Sequence, residues 1–142
     1  MIKNKSKAKT IDLRTSDLRK VPVGTTVITS KGFKFKLVSR KKGKESWKDL
    51  TSKLTWHDAE DEKYRHYQAQ EKFGNGFPTK EEFEVAESHG FREVVPNMAN
   101  KWFWSSSVDP YSTYYAFGFG GDDGDIYYDF RFFNYSVRCV LR

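Results

Sequence analysis

Apolar and polar positions alternate along some stretches of this chain and recur every three to four residues along others. Residues 25–29 (TTVIT) form a β-branched run that reads as a strand. Ser30-Lys31-Gly32 signals a turn, and in residues 33–38 Phe33, Phe35 and Leu37 alternate with Lys34, Lys36 and Val38. Together they predict a β-hairpin with one apolar face. Residues 40–44 (RKKGK) read as a charged loop with Gly43 at its turn. Thr55, with Asp58 three residues on, predicts the cap of a helix over 56–72. Trp56, Ala59, Lys63, Tyr67 and Gln70 recur at helical spacing, and Gly74-Asn75-Gly76 is its stop. A second helix follows Pro78-Thr79. Thr79 caps it, Glu82 completes a capping box, Phe83 and Ala86 face inward, and it ends at His89-Gly90.

After residue 102 the pattern shortens. Residues 102–106, 113–119, 126–133 and 136–141 are strand candidates, separated by turns at Asp109-Pro110, residues 120–124 and Asn134. Strands, two helices and further strands predict an α+β domain over residues 21–142. It is preceded by a basic, partly flexible segment, residues 1–20, in which residues 1–10 fray and residues 10–20 hold a short strand or turn. No internal repeat is present.

A length of 142 residues fits one domain. No run approaches the roughly 18 apolar residues that span a membrane, which predicts a soluble chain without membrane insertion. The basic start is followed by IDLRTSDLRK rather than an apolar run, so no signal peptide is expected. The single cysteine, Cys139, excludes an intramolecular disulfide. The expected location is cytoplasmic, or within an extracellular particle reached without a cleaved signal. The net charge of +6 hides a division: residues 1–53 carry 16 Lys or Arg against 4 Asp or Glu, and the remainder 9 against 15. A basic front and an acidic, aromatic back imply two surfaces.

Four motifs in order carry a resemblance. They are Trp56-x-x-Ala59, Gly76-Phe77-Pro78-Thr79-x-x-Glu82-Phe83, Trp104-Ser105-Ser106-Ser107, and the closing Val137-Arg138-Cys139-Val140 with Arg142. Over residues 25–142 the chain resembles the DUF1566 family, also called the Legionella collagen-like C-terminal domain, which is similar to C-type-lectin-like and formylglycine-generating-enzyme-like folds. The resemblance implies two helices packed on a twisted, mainly antiparallel sheet. It also implies a binding or adhesion role of the kind found in phage tail proteins and in the variable proteins of diversity-generating systems. Many relatives place a cysteine where this chain has Lys63, and it pairs with the closing one. The resemblance therefore implies that Cys139 is free.

Residues 102–135 hold 14 of the 24 aromatic residues. Successive strand residues point to opposite faces. Tyr115, Phe117 and Phe119 thus oppose Tyr114, Ala116 and Gly118, whereas in residues 127–133 both sets are aromatic-rich. One set packs inward and the other forms a patch. Tyrosine and tryptophan combine rigid area with a hydrogen-bonding group and dominate binding hot spots, so the patch predicts a surface for a protein or glycan ligand. Its candidate contacts are Tyr111, Tyr114, Tyr127, Asp129, Phe133 and Tyr135, in the segment that diversified relatives vary. Wholly internal packing, self-association or attachment to a larger assembly is the alternative.

Asp122, Asp123 and Asp125 in a glycine-rich loop read as a solvated hairpin turn. Ca²⁺, which takes six to eight oxygen ligands, is the alternative, and no cofactor is expected otherwise. His57, His66 and His89 have no metal-ligand spacing. Ser105–Ser107 lacks a nucleophile elbow, and Cys139 sits in an apolar run without an activating partner. A non-catalytic role is expected. Lys34, Lys36, Arg40, Lys41, Lys42 and Lys44 form a basic patch that could neutralise phosphates, making intracellular nucleic-acid or nucleoprotein binding the competing reading.

Overall fold

The computed structural model describes residues 10–11 and 17–142; of residues 1–10, expected to fray, residues 1–9 lie outside the described residues and Thr10 opens a strand. In chain order the strands of the first half are β1 (Thr10–Ile11), β2 (Thr26–Ile28), β3 (Lys34–Lys41), β4 (Lys44–Asp49), β5 (Thr55–Ala59) and β6 (Tyr64–Arg65). Two helices follow, α1 (His66–Phe73) and α2 (Lys80–Ser88). The chain closes with β7 (Trp102–Val108), β8 (Tyr115–Gly120), β9 (Ile126–Phe130), β10 (Asn134–Tyr135) and β11 (Arg138–Leu141). The class is mixed α+β. One sheet has the order β1-β2-β3-β4-β5-β11, a second is β7-β8-β9, and β6 pairs with β10. All pairings of these strands are antiparallel except β1 with β2.

The first hairpin forms where alternation predicts it, with Phe35 and Leu37 buried and Lys34 and Lys36 exposed. The expected charged loop at 40–44 is instead a hairpin tip. Lys41 pairs with Lys44, and Lys42 and Gly43 both take positive φ, 52° and 77°, as a two-residue turn matching the strand twist requires. Its return strand, β4, has no counterpart in the sequence reading. It buries Glu45, Trp47 and Asp49 and turns Lys44, Ser46 and Lys48 outward. Two of its three inward residues are acidic, so the apolar signal of a strand is missing. Glu45 is held by Arg40 Nε (2.9 Å), Arg19 (3.1 Å) and the Trp47 indole N–H (2.9 Å).

The helix expected over 56–72 is corrected. Residues 55–59 form strand β5, and only His66–Phe73 is helical. Thr55 caps nothing; it pairs with Lys48 on one side and Leu141 on the other. Trp56 faces Trp47 across the sheet and is fully buried. β5 is an inner strand, and four of its five residues are buried, so it lacks the polar alternation that marks a half-exposed strand. Its Trp and Ala, three apart, therefore imitate a helical turn. The second helix forms as its capping box requires. Thr79 Oγ1 accepts from Glu82 N–H (3.1 Å), Glu82 Oε1 accepts from Thr79 N–H (2.9 Å), and Phe83 and Ala86 are buried.

Between the six-stranded sheet, α2 and one end of the three-stranded sheet lies the main core, which includes Phe35, Leu37, Trp47, Trp56, Phe83, Phe91, Phe103 and Phe119. Phe83 stacks on Phe119 with centroids 4.9 Å apart. A smaller core of Ala69, Phe77, Trp104, Ala116 and Val137 joins α1 to the opposite face of the three-stranded sheet. The expected strand over 126–133 stops at Phe130, because Phe130 and Phe133 close a turn through the Phe133 N–H (3.1 Å). The strand expected over 136–141 forms only from Arg138, as β11, and Asn134, expected as a turn, instead pairs with Arg65 in β10.

Candidate ligand-binding surface

The register of β8 decides which aromatic rings are free. Gly118 lies opposite Trp104 on one side and Tyr127 on the other, and the Trp102 indole occupies the space where a Cβ on Gly118 would be. Ala116 is buried in the smaller core. The small residues of β8 thus mark the face covered by Trp102, Trp104 and Tyr135. On the other face Phe119 enters the main core, and Tyr115 and Phe117 extend beyond it. There Tyr115 stacks on Phe130 (4.5 Å) and meets Tyr128 edge-on (5.5 Å), and Phe117 meets Tyr128 at 6.3 Å. Phe133 packs edge-on against Phe130 (6.0 Å).

This aromatic ladder borders an open groove of about 690 Å³ lined by Lys80, Glu81, Asp109, Tyr111, Phe117 and Tyr128, among others. Tyr111 is 95% exposed and Tyr128 61%. Lys80 Nζ sits over the Phe117 ring at 5.1 Å and 3.7 Å from Glu81. The Asp109 carboxylate accepts the Tyr111 N–H (2.9 Å) and fixes the turn that carries that ring. Rigid rings beside carboxylates and an ammonium group offer stacking area with donors and acceptors at its rim.

The six expected contacts do not share one face. Tyr111 is in the groove, Tyr114 (62% exposed) precedes β8, and Phe133 follows β9 at the ladder's end. Tyr127 lies on the opposite face of β9, lining a second open concavity of about 480 Å³ with Asn100, Lys101, Trp102, Asp122 and Asp123. Tyr135 and Asp129, expected to be exposed, are corrected to half-buried. Tyr135 packs on Trp102 (4.2 Å) and its hydroxyl donates to Asp129. Burial, reinforced by that hydrogen bond, pushes the phenol up to about 12. Tyr115, Phe117, Tyr128 and Phe130, which form the ladder, are not among the contacts expected from the sequence. The Ala116 and Gly118 pair was the available signal, since small residues on one strand face show where large rings pack.

The aspartate loop serves its own turn. Asp122 accepts the Asn100 N–H (2.9 Å), and Asp123 accepts the Asp125 N–H (3.0 Å) and the Tyr127 hydroxyl. The Tyr127 hydrogen bond, with the Asp125 amide, lowers the Asp123 carboxyl below its ordinary value. Among the described residues, no three His, Cys, Asp or Glu side chains converge as a metal site would require. Cys139 is half-buried, and burial with the nearby Glu60 charge pushes its thiol up to about 11. His66 is buried, accepting at Nδ1 from Arg131 Nε (2.9 Å) and facing the Ser105 carbonyl through Nε2 (2.8 Å). Burial, opposed by the Ser105 hydrogen bond and aided by the Arg131 charge, lowers it to about 4. It is therefore a neutral imidazole whose Nε2–H donates to Ser105.

The six basic candidates also divide. Arg40 is bound to Glu45 and to the Val21 and Leu18 carbonyls, and Lys44 to Asp61 (2.6 Å) and the Ala59 carbonyl. Lys34, Lys36, Lys41 and Lys42 are exposed. Among the described residues no helix is long and apolar enough to cross a membrane. Comparison of the chain with protein-family models, with curated proteins and with solved structures finds no match.

Proposed function

We propose that this domain is a non-catalytic recognition module that binds a protein or glycan ligand through the aromatic and acidic surface of residues 102–135. The observation that carries the reading is the ladder Tyr115, Phe117, Tyr128 and Phe130, set on one sheet face beside the groove that Tyr111 lines. Such rings are costly to leave in water and supply most of the binding energy when a partner covers them. Glu81 and Asp109 at the rim would accept hydrogen bonds from ligand hydroxyl or amide groups. In this reading the fold is a C-type-lectin-like variant. Two helices against mainly antiparallel sheets, and the Trp104-Ser105-Ser106-Ser107 motif lying along β7, support that assignment. A domain of this kind works as the binding end of a larger assembly, either in the cytoplasm or on an extracellular particle.

The test is capture on a glycan array and on blotted envelope proteins, comparing wild type with Tyr111→Ala/Tyr128→Ala. We expect capture that withstands high salt and falls at least about tenfold in the variant, since two ring truncations at a hot spot exceed about 1.4 kcal/mol. Equal capture by both proteins would remove the aromatic surface from the mechanism.

A further inference from the structure

The outer face of the six-stranded sheet breaks a rule that strand pairing normally obeys. Phe35, Leu37, Trp47 and Asp49 of β3 and β4 point into the core, so Lys34, Lys36 and Lys48 point away from it. Lys36 stands directly across from Lys48 in the ladder. Like charges at directly opposed positions destabilise a sheet. Among the described residues neither lysine has a carboxylate within ion-pair distance, and the same holds for Lys34, Lys41 and Lys42. Nearby cations fare differently: Arg40 is neutralised by Glu45 and Lys44 by Asp61. Among the described residues the fold thus pairs the cations that its core and turns require and leaves Lys34, Lys36 and Lys48 on the outer face, with Lys41 and Lys42 at the hairpin tip, without counter-charge. A local rule broken without internal compensation marks a functional surface.

We propose that this face binds the phosphate backbone of a nucleic-acid duplex, independently of the aromatic groove. Lysines two apart on β3 repeat at about 6.8 Å, and those facing across neighbouring strands lie about 4.8 Å apart. The Lys41–Lys42 hairpin tip extends this grid at one end. The outward residues of β3 and β4 include no aromatic ring. Unstacked bases would find no outward Phe, Tyr or Trp ring on these two strands to stack on, which separates this surface from those that hold single strands. Lysine ammonium groups without base-reading side chains make contacts that position a duplex but do not select a sequence.

The experiment measures fluorescence anisotropy of a short labelled DNA duplex with the full chain between about 50 and 200 mM salt. Three to five phosphate contacts predict a log–log salt slope between about −3 and −4.5. Lys36→Gln/Lys48→Gln should weaken binding and make the slope shallower by about 2, and should raise the melting temperature at low salt because the cross-strand repulsion is gone. Tyr111→Ala/Tyr128→Ala should bind the duplex as wild type does, so failure of the groove reading and failure of this one are separable. The proposal is overturned by a slope near zero, by unchanged binding in the lysine variant, or by a lower melting temperature for that variant. Tighter binding to a single strand of equal charge, or to phosphatidylserine vesicles, would also overturn it.

Discussion

Gly118 has no side chain because the Trp102 indole fills the place where one would stand. Overpacking of this kind costs about 1–3 kcal/mol, so Gly118→Ala should lower stability by that amount in urea unfolding and change the Trp102 fluorescence. That contact also explains which neighbouring tyrosine is free. Tyr127 and Tyr128 are indistinguishable in sequence, yet Tyr127 lies on the face that Trp102 shares and donates to Asp123 while Tyr128 stands on the open face. His66 is a second single-residue determinant. Its folded value of about 4 lies below the 6.5 of an unfolded histidine, so between these values the unfolded chain binds more protons. The stability it contributes is complete above pH 6.5 and is lost as the pH falls from 6.5 towards 4, by about 3 kcal/mol in all. Urea titrations at pH 7.5 and 4.5 should show that loss, and His66→Gln should flatten it.

Among the elements, α2 was legible because its signals are local. A threonine cap, a glutamate three residues on and an apolar pair at helical spacing act within two turns of chain. Thr79→Ala should therefore cost about 1 kcal/mol, read as a lower urea midpoint with an unchanged slope. β4 and β5 were illegible for opposite reasons. β4 turns Glu45 and Asp49 inward, and these become acceptable only when Arg19, Arg40 and His89 arrive from elsewhere in the chain. A buried carboxylate without such partners would be prohibitively costly, so sequence patterning gives no reason to place one in a core. β5 is covered by β4 and β11 at its edges and by core residues on one face. Its apolar spacing reports that setting and says nothing of helical period.

At the scale of the whole molecule the two candidate surfaces lie on different sheets. The aromatic ladder is the part of the three-stranded sheet that extends past the main core, and the lysine grid is the outer face of the six-stranded sheet. Salt separates them: aromatic capture should persist where duplex binding fades, because counterion release governs only the second. By itself the sequence determined the α+β class, the first hairpin, the capped second helix, the concentration of aromatic residues after residue 102 and the basic first half. Each follows from local propensity, from short-range periodicity or from counting. Only the tertiary structure decided that residues 55–59 are a strand and that Arg40 and Lys44 are neutralised while Lys36 and Lys48 face each other. It alone turned Tyr128 outward and Tyr135 into the smaller core. Those outcomes depend on register and on partners remote in the chain, as in the pairing of Thr55 with Leu141 and the Arg19 hydrogen bond to Val94, and no local pattern encodes which strand face a remote residue will cover.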